Sequence, residues 1–247
     1  AMLISNGVAP SLALLAAVFF GGLAGCVTAL IHTRLGVNDL FAGILTTTGL
    51  YSITLRLMGR SNIPLTDLNL GLGPLPDFGT GSDGDWAIAL TLVVAGLIGL
   101  LALLLSTDLG LALRALGNNP TMARANGISG RTGLTLGIAA GNALVALAGA
   151  LVGLYQGFAD VTMGIGSLIL GLGAVIVGES VLRPRTIPMA LGAVVLGSIL
   201  FRLMIAVALQ LGLEPVDLKL VTALLLLAAL ALGRLRLPGV SDGGKSP

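Results

Sequence analysis

Along the chain, apolar runs of about 20 residues alternate with short segments where glycine, proline, asparagine and charge collect. Seven runs stand out, roughly 10–31, 39–59, 86–105, 131–154, 164–182, 187–209 and 217–233. A helix of about 20 apolar residues crosses the hydrocarbon core of a bilayer. The alternating segments of a lipid-facing barrel are missing. The pattern therefore predicts an all-α polytopic membrane protein of about seven transmembrane helices. Its membrane domain covers 1–236, and the polar residues 237–247 form a disordered tail.

Two interruptions are long enough to carry structure of their own. Residues 60–85, rich in Gly, Pro, Asp and Asn, read as turns and irregular chain, and Trp86 then suits a membrane interface. The second interruption, 106–130, contains "LGNNPTMARANGIS" (116–129). Asn119 is placed to cap a helix that Pro120 opens, since proline's missing N–H is not needed at the first helical position. Gly127 can close that helix about two turns later in a left-handed conformation. A short, capped, polar helix between two membrane spans calls for a role.

Composition agrees with the periodicity. Of 247 residues, 55% are hydrophobic and 10% charged, against about 25% charged in soluble domains. The 37 glycines and the 4% aromatic content suit helices whose backbones approach closely in lipid. A net charge of +2 gives no footprint for nucleic acid. The single cysteine, Cys26, excludes an internal disulfide and a multi-cysteine metal site. "LAGC" (23–26) matches a lipoprotein cleavage motif but lacks a basic leader, so Cys26 reads as a buried thiol.

Charge sets the predicted orientation. Nine of the 13 basic residues lie on alternate loops: Arg34, then Arg114, Arg124 and Arg131, then Arg183 and Arg185, then Arg234, Arg236 and Lys245. Those loops and the C-terminus are expected in the cytoplasm. The opposite loops carry Asp67, Asp77, Asp83, Asp85, Asp160, Glu214 and Asp217. Seven spans with an inner C-terminus put residue 1 outside, an arrangement that predicts a further helix upstream of it.

Candidate chemistry is sparse. "GVSDGGKS" (239–246) and "GTGSDG" (79–84) match phosphate-binding patterns, but neither follows a strand and opens a helix. No nucleotide site is expected in the chain. His32 is the only histidine and reads as an interfacial imidazole near Arg34. No set of metal ligands or catalytic groups converges. Glu179 is spaced to pair with Arg183 one turn on.

Polar residues inside spans are costly and hint at function. Thr46, Thr47, Thr48 and Ser52 either line a path or satisfy themselves on their own helix. Asn142 either lines a path or holds two helices together. Arg202, with Ser198 one turn away, either snorkels to Glu214 or Asp217 or faces a vestibule that could receive a carboxylate. Gly133, Gly137 and Gly141, then Gly149 and Gly153, recur every four residues, a packing face for the helix that carries them.

The segment 110–134, "GLALRALGNNPTMARANGISGRTGL", resembles the cytoplasmic loop of ABC importer permeases of the branched-chain amino acid and ribose kind. Their G-x-N-P-x-x-A-x-x-x-G-I pattern reads here as Gly117, Asn119, Pro120, Ala123, Gly127 and Ile128. Residues 35–65 and 195–226 look more narrowly like permeases of tryptophan/tyrosine uptake systems. The resemblance implies a bacterial inner-membrane importer subunit for a small organic solute, most naturally an amino acid. It implies that the 119–127 helix couples to a separate ABC ATPase, with Met122 and Ala123 as apolar contact and Arg124 as ionic contact. ATP and Mg would be used by that ATPase, with no cofactor bound by this chain. The further partners implied are a second permease copy, an external or lipid-anchored binding protein and membrane lipid, with no nucleic acid. Path residues would include Thr47, Ser52, Asn142, Ser198 and Arg202. The rival class is a stand-alone secondary transporter or channel, which calls for ion-coupling carboxylates at mid-membrane. No acidic residue lies there.

Overall fold

A computed structural model describes residues 2–65, 83–164, 167–210, 212, 220, 222–224 and 227. Most of the predicted seventh span (all but 220, 222–224 and 227), the tail, Glu214, Asp217, residues 66–82 of the long loop and both rejected nucleotide motifs (apart from Asp83 and Gly84) lie outside the described residues. The chain divides into two units, 1–164 and 165–247.

The first unit opens with a single turn, α1 (Met2–Ser5), followed by α2 (Pro10–Leu35) and α3 (Asp39–Met58). Pro10 sits at the first position of α2, and Gly36 closes that helix at φ 66°, where a side chain would be strained. Asn38 caps α3 by accepting the Leu40 N–H at 3.1 Å. Then come strand β1 (Asn62–Pro64), α4 (Asp83–Ser106), α5 (Asp108–Asn118), α6 (Pro120–Ala125), α7 (Gly130–Gln156) and strand β2 (Phe158–Asp160).

The main contact of this unit joins α2 to α7. A Cβ on Gly21 would fall 2.9 Å from the Asn142 carbonyl oxygen, and one on Gly25 would fall 2.7 Å from the Ala139 Cα. Rising positions on α2 meet falling positions on α7, so the pair is antiparallel. Van der Waals packing of backbone on backbone drives such contacts in lipid, where burial of apolar surface gives no advantage over the acyl chains.

At the C-terminal ends of α3 and α7, β1 and β2 pair antiparallel, with Ile63 opposite Ala159. Leu65 N–H donates to Gly157 O at 2.7 Å and Val161 N–H to Ser61 O at 3.0 Å. Ile63 and Leu65 bury with Ile4, Ala13 and Leu154 in one apolar cluster, flanked by Leu14 and Met58. This small sheet departs from the all-helical expectation. Three-residue strands carry too little alternation to register in sequence.

The second unit holds α8 (Ser167–Leu182) and α9 (Ile187–Gln210). Their contact is again at backbone level: a Cβ on Gly197 would fall 2.8 Å from the Gly178 Cα, and one on Gly178 would fall 2.7 Å from the Ala193 carbonyl carbon. Phe201 is 1% exposed, its ring lying where a Cβ on Gly173 would be. The expected span 164–182 is shorter than predicted, because Val161–Gly164 form a turn and α8 has 16 residues.

Among the described residues five helices, Pro10–Leu35, Asp39–Met58, Ala87–Ser106, Gly130–Gln156 and Ile187–Gln210, are long and apolar enough to cross a membrane. Leucines, valines and phenylalanines on them are broadly exposed within the single chain. A soluble protein could not leave such a surface in water.

Candidate functional site

The polar segment between α4 and α7 folds as two short helices. Thr107 caps α5, accepting the Gly110 N–H at 3.4 Å. Arg114 Nε donates back to Gly110 O at 3.4 Å. One face of α5 carries Leu113 and Leu116 onto α7 at Gly133. Leu111 and Ala115 lie on another face.

Helix α6 begins and ends where the residues demand. Asn119 is extended (φ −147°, ψ 93°), and its side chain accepts the Met122 N–H at 3.0 Å, with Pro120 at the first helical position. At the other end, Gly127 adopts φ 82°. Ile128 N–H donates to Ala123 O and Gly127 N–H to Arg124 O, both at 3.0 Å. This pair of bonds is a Schellman closure, which a Cβ at Gly127 would strain. Asn126 adds a side-chain bond from Nδ2 to Met122 O at 2.9 Å. Two turns of helix too short to persist alone are therefore fixed at both ends.

Within α6 the side chains divide. Ala123 is 3% exposed and Met122 65%, so Ala123 anchors the helix to its own chain and the outward apolar group is Met122. Arg124 lies back over the start of α7: a Cβ on Gly130 would fall 3.1 Å from its Nε. A groove of ≈ 470 Å³ runs between α5 and α6, with Asp108, Leu111 and Met122 on its walls. Gly117 is exposed, with open space around it.

At the same end, α2 joins α3 through His32. Its Nδ1 lies 2.8 Å from Val37 O and 2.6 Å from Asp39 Oδ1. Both partners accept, so Nδ1 carries the proton. The imidazole therefore pairs with Asp39 across the Gly36 turn. This is the one ion pair among the described residues; Glu179 and Arg183 form none. Instead, Arg183 N–H donates to Glu179 O at 3.0 Å, with Arg183 left-handed at φ 44°. That backbone conformation ends α8 at Leu182.

The expected path residues do not gather at one place within a unit. Thr46 and Thr48 hydroxyls donate to Ala42 O and Ile44 O on their own helix. Thr47 and Ser52 are exposed on α3. Asn142 is part-buried beside Gly25, and its Nδ2 donates to Ile138 O at 3.0 Å, one turn back on α7. The helix contact is present there, but its polar group is satisfied internally. On α9, Ser198 donates to Val195 O at 2.8 Å, and Arg202 is exposed.

The glycine stripe on α7 is redistributed too. Gly133 lies beneath Leu116, and a Cβ on Gly153 would meet Phe158 O at 3.5 Å. Gly137 approaches only Leu113, and Gly141 and Gly149 have nothing within 4 Å. The close helix contact they were expected to make is supplied by Gly21 and Gly25 of α2. The G-x-x-x-G spacing of that pair was the available signal, as was A-x-x-x-G at Ala174/Gly178 and Ala193/Gly197.

At the opposite end of the first unit, Asp160 Oδ1 accepts the Thr162 N–H at 2.6 Å and the Thr162 hydroxyl. These bonds hold its carboxyl below the usual carboxylate range, the side-chain bond more than the backbone one. Among the described residues no group of His, Cys, Asp or Glu could hold a metal ion.

Long apolar helices packed through small residues and joined by capped polar segments define a multi-pass membrane protein. Residues 1–231 match the family described as "Branched-chain amino acid transport system / permease component". The chain is 37% identical over 234 residues to the tyrosine transport system permease protein of Clostridioides difficile, covering 95% of this chain and 77% of that one. It is 30% identical over 223 residues to an uncharacterized protein, RP368, of Rickettsia prowazekii, covering 89% and 78% of the two chains. No solved structure matches. The chain belongs to this family of transport permease components.

Proposed function

We propose that the chain is the membrane-spanning permease subunit of an ATP-driven ABC importer, working as a homodimer in the bacterial inner membrane with its C-terminus in the cytoplasm. The observation that carries this reading is α6: a helix of six residues, fixed at both ends, presenting Met122 outward beside the α5–α6 groove. A capped helix moves as one body with α7, so it transmits displacement where a loop would absorb it. The partner ATPase holds ATP and Mg and grips this helix. ATP must favour one permease state over the other for transport to be driven. An external binding protein delivers the solute to the end that carries β1 and β2. The solute is an amino acid; the printed name of the Clostridioides difficile relative directs the first trial to aromatic ones.

Co-expression with candidate ATPase subunits tests this. The intact chain is expected to retain an ATPase through purification and to transport only with ATP in proteoliposomes. Met122→Glu is expected to lose the ATPase while keeping the thermal stability of the chain. A chain that transports alone, driven by an ion gradient, is a secondary carrier and overturns the proposal.

A further inference from the structure

Helix α3 is the most polar of the five spans. From Thr46 to Arg56 it carries Thr46, Thr47, Thr48, Tyr51, Ser52, Thr54 and Arg56. Polar groups of this kind in lipid satisfy themselves on the helix, as Thr46 and Thr48 do. Ser52 and Arg56 differ: both are exposed, and neither has a hydrogen bond or ion pair among the described residues. They sit four residues apart, on one face. Tyr51 is 46% exposed beside them. These three, with Ile53 and Leu55, line a hollow of ≈ 590 Å³. Arg56 lies one turn inside the Gly59 cap, toward the β1–β2 end.

A guanidinium that cannot lose its charge is costly inside a membrane span unless it faces water, an anion or another protein group. Its forked N–H groups match the two oxygens of a carboxylate. The Ser52 hydroxyl offers a further donor one turn deeper, and the Tyr51 ring a flat apolar face. No carboxylate of the described residues shares the hollow, so the group it favours is an anion.

We propose that Tyr51, Ser52 and Arg56 form a recognition point on the solute path, where Arg56 and Ser52 hold a carboxylate and Tyr51 packs against the solute's side group. The inference rests on the importer reading above and adds the chemistry of the site. The anion could also come from a lipid phosphate, and the experiment separates the two sources.

The test uses the permease–ATPase complex in proteoliposomes, with Cys26→Ala removing the native thiol and Ser52→Cys supplying a new one. Membrane-impermeant methanethiosulfonates bearing a sulfonate or a trimethylammonium group are added from outside. The thiol is expected to react with both, and Arg56→Gln to lower the sulfonate-to-ammonium rate ratio about tenfold, as loss of one unit charge at close range would. Arg56→Lys is expected to keep most of the ratio, which separates a lost charge from a misfolded helix. Binding protein loaded with L-tyrosine, or with another amino acid the complex transports, is expected to slow labelling, and vesicles rich in phosphatidylglycerol are not. A thiol that resists both reagents, a ratio unmoved by Arg56→Gln, or protection by the anionic lipid alone overturns the proposal. These readouts come from the permease itself. Failure to retain an ATPase overturns the importer reading instead.

Discussion

Gly25 of α2 lies against Ala139 of α7 so closely that a Cβ on the glycine would fall 2.7 Å from the Ala139 Cα and 2.7 Å from the Ile138 carbonyl oxygen. Backbone atoms cannot swing aside as a flexible side chain can. Gly25→Val is therefore expected to destabilise the chain by about 2 kcal/mol or more, read as a lower midpoint of thermal unfolding in detergent. Gly22→Ala, whose Cβ would sit 3.8 Å from Ala143 Cβ, and Gly141→Ala, in open space, are expected to fold as the native chain does. Equal loss in all three variants would show that the α2–α7 contact is not made through Gly25.

Phe201 tests the second unit in the opposite sense. Its ring is buried against Gly173, so Phe201→Ala leaves a cavity worth about 3–4 kcal/mol. Gly173→Leu would overfill the same space. Both variants should unfold at lower temperature, and the double variant should recover part of the loss, a non-additivity that only contacting residues produce.

Asn119→Ala removes the acceptor of the Met122 N–H. Loss of an N-cap costs about 1 kcal/mol, felt locally. Amide hydrogen exchange over 121–126 should quicken while α7 keeps its protection. On the importer reading, transport-coupled ATP hydrolysis falls with it. Unchanged exchange at these amides would mean the cap does not hold the helix.

Only strong acid should act on the Asp160 turn at the β1–β2 end. Thr162 bonds hold the Asp160 carboxyl below its ordinary value of 3.8. A depressed pKa stabilises the folded state above the unfolded value, and that contribution disappears as pH falls through the folded one. The window therefore lies below about pH 4, and at neutral pH the contribution is fully present and does not vary with pH. Thr162→Val should move the Asp160 titration upward in carbon-detected NMR. A titration that stays in place would show the bonds do not form in solution.

Sequence periodicity located the long helices well, because a run of apolar residues has few alternatives in lipid. It also located both ends of α6, since Asn119, Pro120 and Gly127 each have a local reason to be where they are. Contacts between helices were harder to read. In a chain with 37 glycines, spacing alone did not separate Gly21 and Gly25, which touch a neighbour, from Gly141 and Gly149, which do not. The difference lies in which face of each helix meets the other, a tertiary property. His32 is a similar case: its partner Asp39 became a neighbour only once Gly36 turned the chain back.

Helix α7 runs unbroken for 27 residues, from Gly130 just after the closing turn of α6 to Gln156, about 40 Å at 1.5 Å per residue. Clamped along its middle by α2 and pinned at its far end by a buried apolar knot, it is a strut, not a spring. On the importer reading, a push applied near Pro120 would travel along this strut toward Phe158, making the two membrane surfaces one mechanical address.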